Sequence, residues 1–256
     1  MIATIDHAPS GRPPGAIAAA EHYYRGTSGR QYHAQRAGAR SERSQANRAD
    51  TLRPWVDGLG TVVDVGCGDG GVLSRLAVGR RIGVEVSEDA VAQAIRRGVS
   101  VVSSLEALGS EIADAVTFCH SLEHLASPWN ALREAHRVLR PGGRVVVLPP
   151  AEQPSHSGQR TWRPNHDRHL FSWTPLGIGN LLLVCGFELV TSQLGPAATS
   201  SRFVRALGLT PLLRRLLIDW RARQLGQREI LAVAVRPAND RSRSSPPPVL
   251  ANQETD

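Results

Sequence analysis

The sequence predicts an α/β protein built on a doubly wound, mostly parallel sheet, and three observations carry that prediction. Apolar strand-like runs alternate with helix-like segments from about residue 60 onward, and such alternation joins parallel strands by right-handed crossovers. The run Arg144–Leu148 is Val-rich without polar alternation, as in a strand buried on both faces. A glycine cluster, Asp64-Val65-Gly66-Cys67-Gly68-Asp69-Gly70, stands between the first strand and the segment behind it. Glycine there permits a tight turn and the close approach of a ligand to backbone.

Taken in order, Thr61–Val65 is the first strand and Gly71–Val78 reads as a helix. Arg81–Val86 is the second strand, followed by a helix over Glu88–Arg97 that Gly98 closes. Val99–Ser103 and Ala113–Cys119 are the third and fourth strands. Trp129–Leu139 is an amphipathic helix stopped by Pro141-Gly142-Gly143, and Arg144–Leu148 is the fifth strand. Pro149–Arg168 is rich in Pro, His and Arg, lacks periodicity and reads as a long loop. Thr174–Cys185 is a helix ended by Gly186, Phe187–Gln193 a strand, and Ile230–Arg236 the last strand.

An insertion over residues 195–228 separates those last two strands. Within it Leu212, Leu213, Leu216, Leu217 and Trp220 fall at helical spacing, with Arg214, Arg215, Arg221 and Arg223 largely on other faces. Such a helix either packs on its own core or forms a contact surface for a lipid-linked or anionic acceptor, with peripheral membrane contact.

The cluster D-x-G-x-G-x-G differs from the dinucleotide fingerprint, because its third glycine comes one residue early. Backbone N–H groups behind it remain available to a ligand. Glu85 ends the second strand 21 residues beyond Asp64, where an acid hydrogen-bonds the ribose hydroxyls of an adenosine-containing ligand.

Further strings follow: Ser121-Leu122-Glu123-His124-Leu125, Arg137 to Gly143, Asp167-Arg168-His169-Leu170-Phe171 and Cys185-Gly186-Phe187. With Val62 to Gly70, and in this order over about residues 50–237, the chain resembles the class I S-adenosylmethionine-dependent methyltransferases. The resemblance implies a Rossmann-like, doubly wound sheet of seven strands with the last strand antiparallel, and S-adenosyl-L-methionine as cofactor. It assigns Asp64, Gly66, Cys67, Gly68 and Gly70 to the pocket for the methionine end, Glu85 to the ribose and Val86 to the adenine. Ser104 and Leu105 follow the third strand, and His120 at the end of the fourth borders the ligand. Ser103 and Ser104 stand where family members often place an acid near the adenine amine.

His120-Ser121-Leu122-Glu123-His124 also spells H-x-x-E-H, as in one class of zinc protease, but that chemistry needs a helical face and this string leaves a strand end. A nearer comparison is with small-RNA 2′-O-methyltransferases and quinone-biosynthesis O-methyltransferases, which it resembles at Glu123 and His124, with His120 in place of their Glu. That resemblance implies a divalent metal such as Mg. Glu123, His124, His166 and His169 are the candidate ligands, with Asp167 beside them; carboxylate plus imidazole suits Mg, Mn or Zn. A metal would lower the pKa of a bound hydroxyl. Two alternatives need no metal: His124 or His169 as general base beside Glu123, or structural roles for Glu123 and His124.

The expected organisation is a disordered N-terminus (1–15), an N-terminal helical lid (16–53), a methyltransferase domain (54–237, containing the 195–228 insertion) and a disordered tail (238–256). Tyr23, Tyr24, Tyr32 and His33, followed by Arg36, Arg40, Arg43 and Arg48, suit either a lid or a solvated helix with an aromatic anchor. Cys67, Cys119 and Cys185 form no C-x-x-C pair, and no secretory pattern opens the chain. A cytoplasmic protein is expected.

All 30 basic residues are Arg, which excludes lysine-dependent phosphate binding and Schiff-base chemistry, and the formal net charge is +7. The charge is uneven: residues 1–53 carry +4, residues 54–195 carry −2, residues 196–236 carry +6 and residues 237–256 carry −1. An Arg-rich rim around a slightly acidic core fits a small-molecule, glycan or lipid-linked acceptor of anionic character. Methylation of a hydroxyl is favoured because the strings typical of base or amide amino-methylation are missing after the fourth strand. Rival readings are an RNA methyltransferase or RNA-binding protein of the same fold and a catalytically silent cofactor-binding subunit. Nucleic acid is disfavoured, since no basic stripe interleaved with aromatics is present.

Overall fold

The structure, a computed structural model, describes Tyr24, Gly26, residues 41–151 and 169–195, Thr210, Leu213 and residues 229–238. The expected disordered N-terminus, nearly all of residues 16–40, His166 and Asp167, most of the insertion and nearly all of the tail lie outside the described residues.

The elements run α1 (Glu42–Val56), β1 (Thr61–Val65), β2 (Arg80–Val84), α2 (Glu88–Arg96), β3 (Ser100–Val102) and β4 (Ala113–Cys119). They continue with α3 (Pro128–Val138), β5 (Leu139–Leu148), α4 (Pro175–Val184), β6 (Glu188–Gly195) and β7 (Glu229–Val235). Three helices start on a hydroxyl cap: Ser41 accepts from the Ser44 N–H, Ser127 from Asn130 and Thr174 from Gly177. Pro128 and Pro175 follow their caps, where the missing N–H is not needed.

The seven strands form one sheet in the order β3-β2-β1-β4-β5-β7-β6. Neighbours from β3 through β5 pair in parallel, while β7 is antiparallel to both β5 and β6. This is the expected Rossmann-like architecture. Alternate residues of each central strand enter cores on opposite faces. Val62, Ala115, Val146 and Val233 pack with Ala49, Leu52 and Val56 of α1. Val63, Val116, Phe118 and Val147 pack with Leu132 and Val138 of α3 and Ile178 and Leu182 of α4. Burial of both faces is why β5 carries no polar alternation, and each such side chain contributes roughly 1.5–3 kcal/mol.

The structure departs from the sequence expectation at several places. Gly71–Val78 is not a helix but a single 3-10 turn, Leu73–Arg75. Eight residues bounded by glycines are too few to propagate a helix, and the Ser74 hydroxyl and the Arg75 guanidinium both donate to the Gly71 carbonyl. Strand β5 begins at Leu139, so Pro141-Gly142-Gly143 lies within its irregular first half. There Gly142 N–H donates to the Arg236 carbonyl and Arg236 N–H to Gly143. Strand β6 runs to Gly195, two residues past the expected end. Helix α1 crosses the 53/54 boundary between the expected lid and core, and its buried residues pack against the sheet.

The strand order reverses direction between β1 and β4, since β2 and β3 lie to one side and β5 to the other. A crevice forms at such a switch point, outside the carboxyl ends of the strands.

Candidate functional site

The turn after β1 occupies that crevice. Gly66, Gly68 and Gly70 all have positive φ (72°, 56° and 72°), a region other residues seldom adopt. Gly66 has a second constraint: a Cβ there would lie 2.6 Å from Cβ of Ser121, in the turn after β4. Backbone N–H groups of Gly66 and Cys67 donate to the Val84 carbonyl at 2.8 and 3.2 Å, tying the turn to the end of β2. Cys67 is buried, with its thiol pushed up by burial. A Cβ on Gly83 would lie 2.3 Å from its sulfur, so β2 needs glycine at that position.

Glu85 completes this half of the site. Its Oε2 accepts from Gly68 N–H at 2.9 Å, while Oε1 accepts from Val86 and Ser87 N–H at 2.8 and 2.9 Å. The acid therefore holds the glycine turn against β2. Asp64 and Thr117 are register partners on β1 and β4, and the Thr117 hydroxyl donates to Asp64 Oδ1 at 2.6 Å. Burial raises Asp64 from 3.8 to about 7; the Thr117 hydrogen bond opposes this and the charge of Glu85 adds to it. Ser104 precedes a 3-10 turn, and Leu105 inserts into the core with Val84 and Phe118. Val86 is half-buried.

Residues that the sequence did not single out brace the turn from α1 and from the end of α2. Gln45 Nε2 donates to both Asp69 carboxylate oxygens at 2.9 and 3.1 Å, and Arg97 Nη2 lies 3.2 Å from Asp69 Oδ2. Arg75 pairs with Glu42. Gln45 is a buried polar side chain on α1, so apolar periodicity did not mark it. Thr117 did leave a signal, as the one hydroxyl inside the apolar strand β4.

The other half of the crevice follows β4. His120 has φ 54°, and its N–H donates to the Leu148 carbonyl at 3.0 Å. Leu122–His124 form a 3-10 turn rather than the helix that an H-x-x-E-H zinc site requires. Glu123 is fully buried. Its backbone carbonyl accepts from Leu170 and Phe171 N–H, but neither carboxylate oxygen has a hydrogen-bond partner among the described residues. Burial raises its pKa, against the lowering charges of His120 and Arg48.

Three of the expected residues come together here. One potential ligand atom each from Glu123, His124 and His169 lies within 4.8 Å of the others. The two imidazoles meet edge to face with ring centres 4.9 Å apart, and His124 Nδ1 is 3.0 Å from the Tyr24 hydroxyl. A buried carboxylate without a donor, next to two imidazoles, has the chemistry of a divalent-cation site or of a base and its orienting acid. No helix among the described residues is long and apolar enough to cross a membrane.

Comparison with known proteins adds to this geometry. The sequence model of a methyltransferase domain matches residues 63–147, from β1 through β5. An uncharacterised 37.1 kDa transposon protein of Streptomyces fradiae is 39% identical over 129 residues, covering 44% of this chain and 35% of that protein. A ubiquinone biosynthesis O-methyltransferase of Pseudomonas paraeruginosa is 36% identical over 111 residues, or 36% of this chain and 47% of the relative. The matches thus span between a third and a half of these relatives' own length. Among solved structures, a complex of the Haloferax volcanii Trm112 methyltransferase activator with a methyltransferase superposes with TM-score 0.59 at 20% identity. It covers 85% of this chain and 97% of that one. The matched segment, residues 63–147, has the sequence of a methyltransferase domain, and the sheet order with antiparallel β7 is that of the class I methyltransferase fold.

Proposed function

We propose that the protein transfers the sulfonium methyl of S-adenosylmethionine to a hydroxyl of a small-molecule, glycan or lipid-linked acceptor. The observation that carries this reading is the contact between the two halves of the crevice. Ser121, next to the Glu123 cluster, leans directly on Gly66 of the cofactor turn, so an acceptor held by the cluster lies beside a cofactor held by the turn. Similarity to a ubiquinone biosynthesis O-methyltransferase supports a hydroxyl as acceptor.

Asp64, Gly66, Cys67, Gly68 and Gly70 would cradle the methionine end, Glu85 the ribose and Val86 the adenine, with Ser104, Leu105 and His120 at the border. Bound cofactor supplies an electrophilic methyl on sulfur. The protein's own work is alignment and exclusion of water, since direct displacement depends mostly on geometry. His124, set by Tyr24 and His169, would take the hydroxyl proton, and Glu123 would orient the acceptor. The orphaned carboxylate of Glu123 favours a second reading of this cluster, in which Glu123, His124 and His169 hold a divalent ion that binds the acceptor oxygen.

Calorimetry with S-adenosylmethionine and S-adenosylhomocysteine tests the cofactor half, with binding expected for both; no binding by intact protein overturns the proposal. Incubation with methyl-labelled cofactor and a panel of catechols, glycosides and polyprenyl-linked sugars then identifies the acceptor. For the second reading, Mn2+ binding followed by electron paramagnetic resonance should be lost in Glu123→Gln and His169→Ala.

A further inference from the structure

Glu229 opens β7 and is the first described residue after the insertion. No motif marks it, yet it is buried at the crevice. Its Oε1 lies 2.7 Å from His120 Nε2, and Arg48 Nε of α1 lies 3.7 Å from the same oxygen. Burial alone would raise Glu229, but the His120 hydrogen bond and the charges of His120 and Arg48 hold it below the usual carboxylate range. An ionised carboxylate only accepts, so His120 Nε2 carries the proton and donates it.

This arrangement determines where the other ring nitrogen points. His120 Nδ1 stands 3.8 Å from Glu123 Oε1, while His124 Nε2 stands 3.9 Å from that oxygen. Glu123 thus lies between two imidazoles, each too far for a hydrogen bond. His120 also keeps a left-handed backbone that a non-glycine residue holds only when its surroundings impose it. Three places distant in sequence, α1, the turn after β4 and β7, supply Arg48, His120 and Glu229 to this one row.

We propose that Glu229 is a positioning residue of the transfer site: with Arg48 it fixes the His120 ring so that Nδ1 faces Glu123 and the acceptor side of the crevice. The functional meaning rests on the methyl-transfer reading, but the positioning can be measured without any acceptor. A pinned His120 keeps Nδ1 at 3.8 Å from Glu123 Oε1, the oxygen that His124 Nε2 approaches to 3.9 Å.

Two-bond proton–nitrogen spectra of the full-length protein test this, with the His120 signals assigned from His120→Asn, a side chain that tolerates left-handed backbone. Wild type should show a protonated Nε2. Glu229→Gln retains an accepting oxygen and should keep that tautomer, whereas Glu229→Ala should mix tautomers and broaden the ring signals. Calorimetry with S-adenosylhomocysteine should give affinities within about threefold of wild type for both variants, and melting curves establish that they fold. An unchanged His120 ring signal in Glu229→Ala, or a bare Nε2 in the wild type, overturns the proposal. So does a loss of S-adenosylhomocysteine affinity beyond about tenfold, which would make Glu229 part of the cofactor site. If the wild type binds no S-adenosylhomocysteine, the methyl-transfer reading fails while the spectra still decide the role of Glu229.

Discussion

The two halves of the crevice are built on opposite principles. After β1 the polar groups are paired: Glu85 accepts three backbone N–H groups, Asp64 accepts from Thr117, and Asp69 is held by Gln45 and Arg97. After β4 they are left open: both oxygens of Glu123 and one of Glu229 are buried without a hydrogen-bond partner among the described residues. A paired site is rigid before its ligand arrives, whereas buried carboxylates lacking donors are costly until something supplies them. The turn after β1 is thus fixed in shape, and the cluster after β4 keeps open hydrogen-bonding capacity.

Gly66→Arg should break the first half most severely. A side chain there collides with Ser121 in a left-handed backbone, so calorimetry should detect no S-adenosylmethionine binding in a variant that still melts cooperatively. Retained binding would remove the turn from the cofactor site.

Asp64 sharpens the contrast through pH. Its pKa is raised to about 7 from 3.8, so the folded protein holds this proton more tightly than the unfolded chain. Its stabilising contribution is complete below the unfolded value and is lost as pH rises through about 7. Denaturant titrations of the ligand-free protein should show that decline, worth at most on the order of 4 kcal/mol, and Asp64→Asn should flatten it. An Asp64→Asn profile parallel to wild type would contradict the raised pKa.

Glu85→Ala should cost about 1.5–3 kcal/mol of cofactor affinity, the range for hydrogen bonds to a charged group, because the turn loses its tether at Gly68. Equal affinity would show that Glu85 only caps β2.

The smallest effect should fall on the open half and have the opposite sign. Glu123 is raised by burial, so its charged form is the costly one. Glu123→Gln should therefore stabilise the ligand-free protein by about 1–2 kcal/mol at pH 8, with little gain in acid, while S-adenosylmethionine affinity stays unchanged. Destabilisation at pH 8 would mean that the carboxylate has found a partner.

Much of the fold was legible because its signals are local. The Val-rich run of β5, the glycine spacing after β1 and Glu85 at the end of β2 each lie within one strand and its turn. The Gly71–Val78 segment misled because its apolar spacing suits a helix, while the flanking glycines leave too few residues to sustain one. After β4, Glu123, His124 and His169 were visible as residue types, but their convergence depends on Leu170 and Phe171 docking on the Glu123 carbonyl. Gln45 and Glu229 left no readable trace, and Arg48 was visible only as one of the Arg residues preceding the core.

By itself the sequence determined the strand order in the chain, the position of the glycine turn and the acid that follows it, since periodicity and turn chemistry act over a few residues. Only the tertiary structure decided which distant side chains share a buried space. Glu229 reaches His120, 109 residues away, because β7 inserts between β5 and β6. Long-range strand pairing sets that neighbourhood, and no spacing along the chain encodes it.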